Sequence, residues 1–269
     1  MNFIQYIKQT WKAGISGGTP LSPDRLNHIE DGIKNNNDMI GNLGNRTRTN
    51  ITNNLSNLSK AVAEQNLEKY GYSIGDYFIG ASNYEYTLAD MDTYYGGYNV
   101  GAVVSEHHIG ILVNTKQQSK YQESGDVTSY ASSTLCSLLT TTVLDEIKSD
   151  FTTLFGNWNN HLLAHHMLNN AITTWGTPTW IENSYIEALA EVQVYGNQIF
   201  GADGYQTGTG CKKLTVFDKF RYNQIFGNEY FWLRSLMSVS SACYADTNGI
   251  AYYRGVGSSA SVVALILFH

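Results

Sequence analysis

From Pro23 to Val62 the apolar residues recur at steps of three and four. They run Leu26, Ile29, Ile33, Ile40, Leu43, then Ile51, Leu55, Leu58 and Val62, with Asn36 in the one missing slot. That is the a/d spacing of helices that bury a narrow seam against other helices. Pro20 and Pro23 break whatever precedes it. Pro23 suits a first helical turn, where its missing N–H costs nothing, and Ser22 is placed as the N-cap. Leu43 to Ile51 is one residue longer than a heptad, which locally unwinds a left-handed supercoil without ending it. The opposite face is rich in asparagine (Asn35, Asn37, Asn42, Asn45, Asn50, Asn53, Asn54, Asn57), and Gly32, Gly41 and Gly44 weaken it further. A lone helix of this composition is marginal in water, so association along the seam has to stabilise it. The spacing therefore predicts an oligomeric stalk over residues 21–69. If helical from Pro23 to about Glu68, it would be roughly 65–70 Å long at 1.5 Å per residue. A kinked or partly disordered helical linker is the alternative reading.

Charge and composition both change at about residue 70. Residues 1–70 carry a net charge of +2 and residues 71–269 one of −8, within a total of −6. An acidic second part argues against nucleic acid, which demands clustered positive charge. It leaves neutral sugars and protein surfaces as partners. The roughly 200 residues after Tyr70 are rich in Tyr, Gly, Ser and Thr and can form one domain with its own core. No apolar run is long enough to span a membrane, and Met1–Gln5 shows no signal-peptide pattern. Cys136, Cys211 and Cys243 lack metal-like spacing, and an odd number excludes a complete disulfide framework within one chain. Free thiols in a reducing cytoplasm are expected.

The second part reads as mixed α and β. Ile74–Ile79 and Ile109–Val113 resemble strands. Helices are expected over Thr128–Thr140, over Val143–Phe155 and over Trp158–Ile172, the second on the buried spacing of Val143, Ile147, Phe151, Leu154 and Phe155. Tyr230–Ser235, Ser241–Asp246, Ile250–Arg254 and Ser261–Phe268 read as strands. Asn248-Gly249 between two of them is a two-residue hairpin signal, with both positions expected at positive φ.

Few residues point to chemistry. His161 and His165 would lie one turn apart on the third helix, a spacing that can present two imidazoles to zinc, but no carboxylate or cysteine completes a site. Asp90, Asp92 and Asp126 are the carboxylates nearest to a sugar-cleaving pair, without spacing that implies one. No nucleophile elbow, phosphate loop or dinucleotide fingerprint is present, so no catalytic residue, metal or cofactor is expected. The tyrosines are more telling. Tyr94-Tyr95-Gly96-Gly97-Tyr98 and Tyr252-Tyr253-Arg254-Gly255 join aromatic rings to flexible glycine, as adaptable binding loops do. Tyr94, Tyr95, Tyr98, Tyr244, Asp246, Asn248, Tyr252, Tyr253 and Arg254 form the expected ligand-binding set.

Two stretches carry resemblances. Gly17-Gly18-Thr19-Pro20-Leu21-Ser22-Pro23-Asp24-Arg25-Leu26 through Ile33 resembles the attachment-to-stalk junction of bacteriophage tail and baseplate proteins. Phe231-Trp232-Leu233-Arg234-Ser235, Ala242–Gly249 and Ser261-Val262-Val263-Ala264-Leu265 resemble an uncharacterised domain family of Gram-positive bacteria and their phages. That family is marked by a Trp-Leu-Arg-Ser strand, an Asn/Asp-Gly hairpin and a Val-Arg-Pro-Ala closing strand. Tyr130–Leu135 resembles its helix opening, and Glu191–Gly196 its Glu-Val-x-Val-Phe-Gly element. Here Val263-Ala264 stands where the family has Arg-Pro, so that arginine's role is lost. The family's C-terminal pattern is similar to the C-type-lectin-like fold.

The resemblances imply an α+β chain: a helical coiled-coil stalk, then a mixed α+β, C-type-lectin-like globular head. Residues 1–20 would attach to a tail or baseplate, 21–69 form the stalk and 70–269 the receptor-binding head. The implied molecule is a homotrimer of a virion or phage-like tail, assembled in the bacterial cytoplasm. Its head would meet a host glycan or surface-layer protein, with no nucleic acid and no membrane insertion. Trp232, Leu233 and Arg234 are expected to hold the fold, with Arg234 bonding loop carbonyls.

Overall fold

A computed structural model describes residues 26–34, 47–94, 104–169, 179–201 and 212–269. The chain divides into two compact units, residues 1–47 and 48–269. Of the first unit, residues 26–34 are helical (α1). Their polarity is inverted: Ile29 and Ile33 are 51% and 45% exposed, while Glu30 is buried. Ile40 and Leu43 lie outside the described residues.

The seam does not continue into the second unit. Ile51, Leu55, Leu58 and Val62 are buried within its own core, so their assignment to oligomerisation is corrected. Leu58–Ala63 (α2) is the one α-helix between residues 48 and 69, and turns at residues 52–53 and 56–57 precede it. The cause is local competition. Asn50 Oδ1 accepts from Thr52 N–H at 2.9 Å and from Thr52 Oγ1 at 2.7 Å, which fixes a turn in place of a helix. A series of turns can bury apolar residues at the same spacing as a seam. The head therefore begins at Arg48, and residues 48–69 belong to it.

That start is anchored. Arg48 donates through Nε to Gly75 O (3.1 Å) and through one terminal nitrogen to Gln224 O and Ile225 O. Its other terminal nitrogen donates to Glu85 Oε1 and Thr87 Oγ1, both at 2.6 Å. The guanidinium also lies 4.6 Å from the centre of the Tyr77 ring. The next residues run beside the first strand, Tyr77–Ile79 (β1): Tyr77 N–H donates to Thr49 O and Ile51 N–H to Tyr77 O.

The head is mixed α+β, built on one large and mostly antiparallel sheet. Its strands are β1, Glu85–Met91 (β2), Ile109–Lys120 (β3), Ser259–Phe268 (β11), Phe231–Ser238 (β8), Ser241–Ala245 (β9) and Ala251–Gly255 (β10), in that spatial order. Leu162–Leu163 (β4) and Glu187–Ala188 (β7) also pair with β11. His165–Asn169 (β5) and Thr179–Ser184 (β6) form a separate two-stranded ribbon. β11 is parallel to β8, which makes the sheet mixed at one joint. Ala260 to Phe268 are all buried, as in a strand covered on both faces.

Thr134–Leu138 (α3) and Leu144–Phe155 (α4) are joined through a π turn at Leu139–Val143. Phe151 and Phe155 of α4 pack on Phe78 and Phe268. Asp150 of α4 accepts from Ser82 N–H and Tyr86 OH. Glu191–Tyr195 (α5), Val216–Lys219 (α6) and Tyr222–Phe226 (α7) complete the helices, and α7 lays Tyr222 and Phe226 on Phe231. The four expected C-terminal strands are present. The expected helix over Trp158–Ile172 is not: a 3-10 turn at Trp158–Asn160 leads into β4 and β5. His161 and His165 are consequently not on one helical face. His161 stacks on Phe268, and His165 is buried against Tyr94.

Candidate functional site

The Trp-Leu-Arg-Ser strand carries a buried polar centre. Arg234 is fully buried and donates to Glu187, also fully buried, and to Ala188 O at 3.3 Å. Tyr94 OH donates to the other Glu187 oxygen at 2.5 Å. Gln193 Nε2 reaches both Tyr94 OH (2.8 Å) and Glu187 (2.7 Å), while its Oε1 accepts from Ala190 N–H. Burial alone would raise the Glu187 pKa; the Arg234 charge, with contributions from His165 and Tyr94, outweighs it and holds the carboxyl at about 2. Trp232 Nε1 donates to Ser119 O at 2.9 Å. This strand therefore ties β8 to β3 and β7. Tyr94 is committed to the same centre and is buried, so its place among ligand-binding residues is corrected. Tyr95 and Tyr98 lie outside the described residues.

The β9–β10 hairpin closes differently from a two-residue turn. Asp246 N–H donates to Ile250 O, and Gly249 N–H to Asp246 O. Asp246 Oδ1 accepts from Asn248 N–H and Ile250 N–H, both at 2.8 Å. Of Asn248 and Gly249, only Gly249 takes positive φ, at 79°. This is a three-residue loop ending in a left-handed glycine. Asp246 is thus a framing residue of the turn, and Asn248 sits exposed at its tip.

Beyond the turn an aromatic surface spreads over both faces of β10. On one face Tyr252 pairs across the strands with Tyr244 (ring centres 6.1 Å), and Tyr244 with Trp232 (6.2 Å). Tyr230 meets Tyr244 at 6.0 Å, and the Arg254 guanidinium lies 5.5 Å from the Tyr230 ring centre. On the other face Tyr253 packs edge-on against Phe200 at 5.4 Å. Tyr252 and Tyr253 are each 47% exposed, Ile199 49% and Phe200 36%. Four of the expected residues, Tyr244, Tyr252, Tyr253 and Arg254, are brought together here.

Ile199, Phe200 and the residue that holds them escaped sequence reasoning. Glu191 is fully buried at the start of α5, yet its carboxylate accepts from three consecutive backbone amides: Ile199 (3.2 Å), Phe200 (3.0 Å) and Gly201 (2.9 Å). A buried carboxylate therefore fixes a loop whose two apolar side chains remain in water. The available signal was Ile199-Phe200 itself, two bulky apolar residues between Asn197-Gln198 and Gly201.

A second concave feature is a groove of about 430 Å³ whose lining includes Gln65, Leu67, Tyr72, Ile74, Met91 and Lys219. Its Gln65 donates to Asp92 at 3.1 Å, and Asp92 holds His107 Nδ1 at 3.0 Å and the His108 N–H at 3.0 Å. Asp90 is buried, with Lys212 at 2.9 Å and Thr215 bonded to it; Asp126 is exposed on a loop. Among the described residues no three His, Cys, Asp or Glu side chains converge to hold a metal ion, and no helix is long and apolar enough to cross a membrane. Compared with known proteins, the chain matches no family model, no curated protein and no solved structure.

Proposed function

We propose that this chain is a receptor-binding protein of a phage or phage-like tail, and that its head adheres to the bacterial host surface. The observation that carries the reading is the clamped aromatic surface: Ile199 and Phe200, fixed in solvent by buried Glu191, with Phe200 against half-exposed Tyr253. Rigid, exposed aromatic anchors are what an adhesive surface needs, because little side-chain freedom is lost on binding. The junction resemblance at Gly17–Ile33 supplies the context of a tail, and the resemblances around Trp232 favour a C-type-lectin-like arrangement of the head. Residues 1–20 attach to the tail or baseplate. A homotrimeric seam through Leu26, Ile29 and Ile33, extended by Ile40 and Leu43, presents three heads, so that modest single-site affinity becomes avidity. Exposure of Ile29 and Ile33 supports that seam. The reading calls for no catalysis, no cofactor and no metal.

A structural baseplate component is the second reading, favoured by Ile199: an exposed aliphatic side chain suits a protein neighbour within a tail. The test is binding of the full chain to a panel of Gram-positive cells. Binding that falls at least tenfold, about 1.4 kcal/mol, in Phe200→Ala or Tyr253→Ala supports adhesion. Absence of cell binding, with retained association with tail proteins, overturns it in favour of the structural role. Release of reducing sugar from wall polysaccharide would instead identify a glycan depolymerase.

A further inference from the structure

The two edges of the large sheet are treated differently. At one edge β1 is covered by the chain's own residues Thr49–Ile51, pinned by Arg48. At the other edge, among the described residues, β10 pairs only with β9. Asp246 N–H donates to Ile250 O and Val256 N–H to Ser240 O, so the even-numbered residues of β10 turn their backbone groups toward β9. The N–H and C=O groups of Ala251 and Tyr253 therefore face outward, and among the described residues nothing pairs with them. Natural sheets guard such edges with lysine, proline, bulges or a covering segment. β10 reads Ala-Tyr-Tyr-Arg-Gly: Arg254 is its one guarding charge, and it has no proline and no bulge against β9.

We propose that this edge receives an extended polypeptide segment as an added strand, the outward groups of Ala251 and Tyr253 supplying the ladder. The proposal rests on the adhesion reading for who supplies the segment, and for the site on the edge that none of the described residues pairs with. Tyr252 and Tyr253 project to opposite faces of the sheet. A single saccharide stacks on one of them only. A strand sends alternate side chains to both faces, and so engages Tyr252 and Arg254 on one and Tyr253 and Phe200 on the other. Arg254 is the only charge on β10, which specifies a carboxylate on the incoming strand at that face and apolar, β-branched residues elsewhere.

The probe is an array of hexapeptides alternating Val, Ile and Thr, with one Asp moved through each position, added to the full chain. At least one peptide should slow exchange of the Tyr253 amide. Methylating its edge-facing nitrogens should weaken binding about tenfold or more, the loss of a ladder hydrogen bond. Ala251→Pro removes an outward donor, leaves the Tyr253 ring against Phe200 and should abolish binding; Tyr253→Lys, which keeps the backbone and guards the edge, is the second variant. Peptides that leave Tyr253 exchange unchanged, or that bind equally well when methylated, overturn the proposal. Cell adhesion separates the two failures. Adhesion that survives protease treatment of the cells and survives Ala251→Pro, which keeps the Tyr253 ring, sinks strand addition and leaves the adhesion reading standing. Peptide binding at β10 by a chain that adheres to no cell sinks the adhesion reading and leaves the strand site standing.

Discussion

Single side chains in this head do the work of whole contacts, and two carboxylates show how. Glu187 is held at about 2 against an ordinary 4.5, chiefly because Arg234 overcomes the cost of burial. A depressed folded-state pKa contributes stability above the unfolded value, and that stability is lost as pH falls from about 4.5 toward 2. Acid titration followed by near-ultraviolet circular dichroism should show tertiary structure failing in that window. Arg234→Met, which strands Glu187 without its partner, should cost about 3–5 kcal/mol at neutral pH by urea denaturation. Replacing both residues with apolar ones of similar volume should cost less than the single change. Glu191 acts on a loop rather than on the core. Glu191→Ala leaves three amides without their acceptor, and should cost about 3 kcal/mol and weaken binding by the Phe200 surface together.

At the scale of the element, the hairpin and the edge strands matter most. Gly249 combines positive φ with close approach to α7, where an added Cβ would lie 2.7 Å from Tyr222 Cβ. Gly249→Ala should therefore cost about 2–3 kcal/mol, while Asn248→Ala, at an exposed tip position, should cost under about 0.5 kcal/mol. Thermal melts of the two variants give the comparison. The hairpin was legible from Asn248-Gly249, because glycine in that position has few alternatives. Its loop length was not, because Asp246 decides it through side-chain bonds that compete with a two-residue turn. Strands β8 to β11 were likewise legible from runs of β-branched and aromatic residues. The segment after Trp158 misled because His161 and His165 fit helical spacing, while the extended pairing of β4 with β11 is a long-range contact that local spacing does not encode.

For the whole molecule, the boundary at Arg48 separates two kinds of apolar spacing. On the proposed homotrimer, Ile29→Asp with Ile33→Asp should lower the sedimentation mass of the full chain toward a monomer while leaving the head folded. Leu58→Asp should unfold the head by about 4 kcal/mol or more, since it places an unpaired charge in the core, and should not act through the seam. A dissociated yet folded Leu58→Asp chain would return that residue to the proposed stalk.

The sequence by itself determined the α+β class, the change in character near residue 70, the C-terminal strands and the place of Tyr244, Tyr252, Tyr253 and Arg254 on two of them. Those follow from composition and from short-range rules, which act between residues a few positions apart. Only the tertiary structure decided that Ile51, Leu55, Leu58 and Val62 belong to the head, that Tyr94 serves Glu187, and that Glu191 fixes Ile199 and Phe200 beside Tyr253. The physical reason is common to all three: burial and hydrogen-bond partnership depend on residues brought together from far along the chain, and spacing alone leaves those partners unspecified.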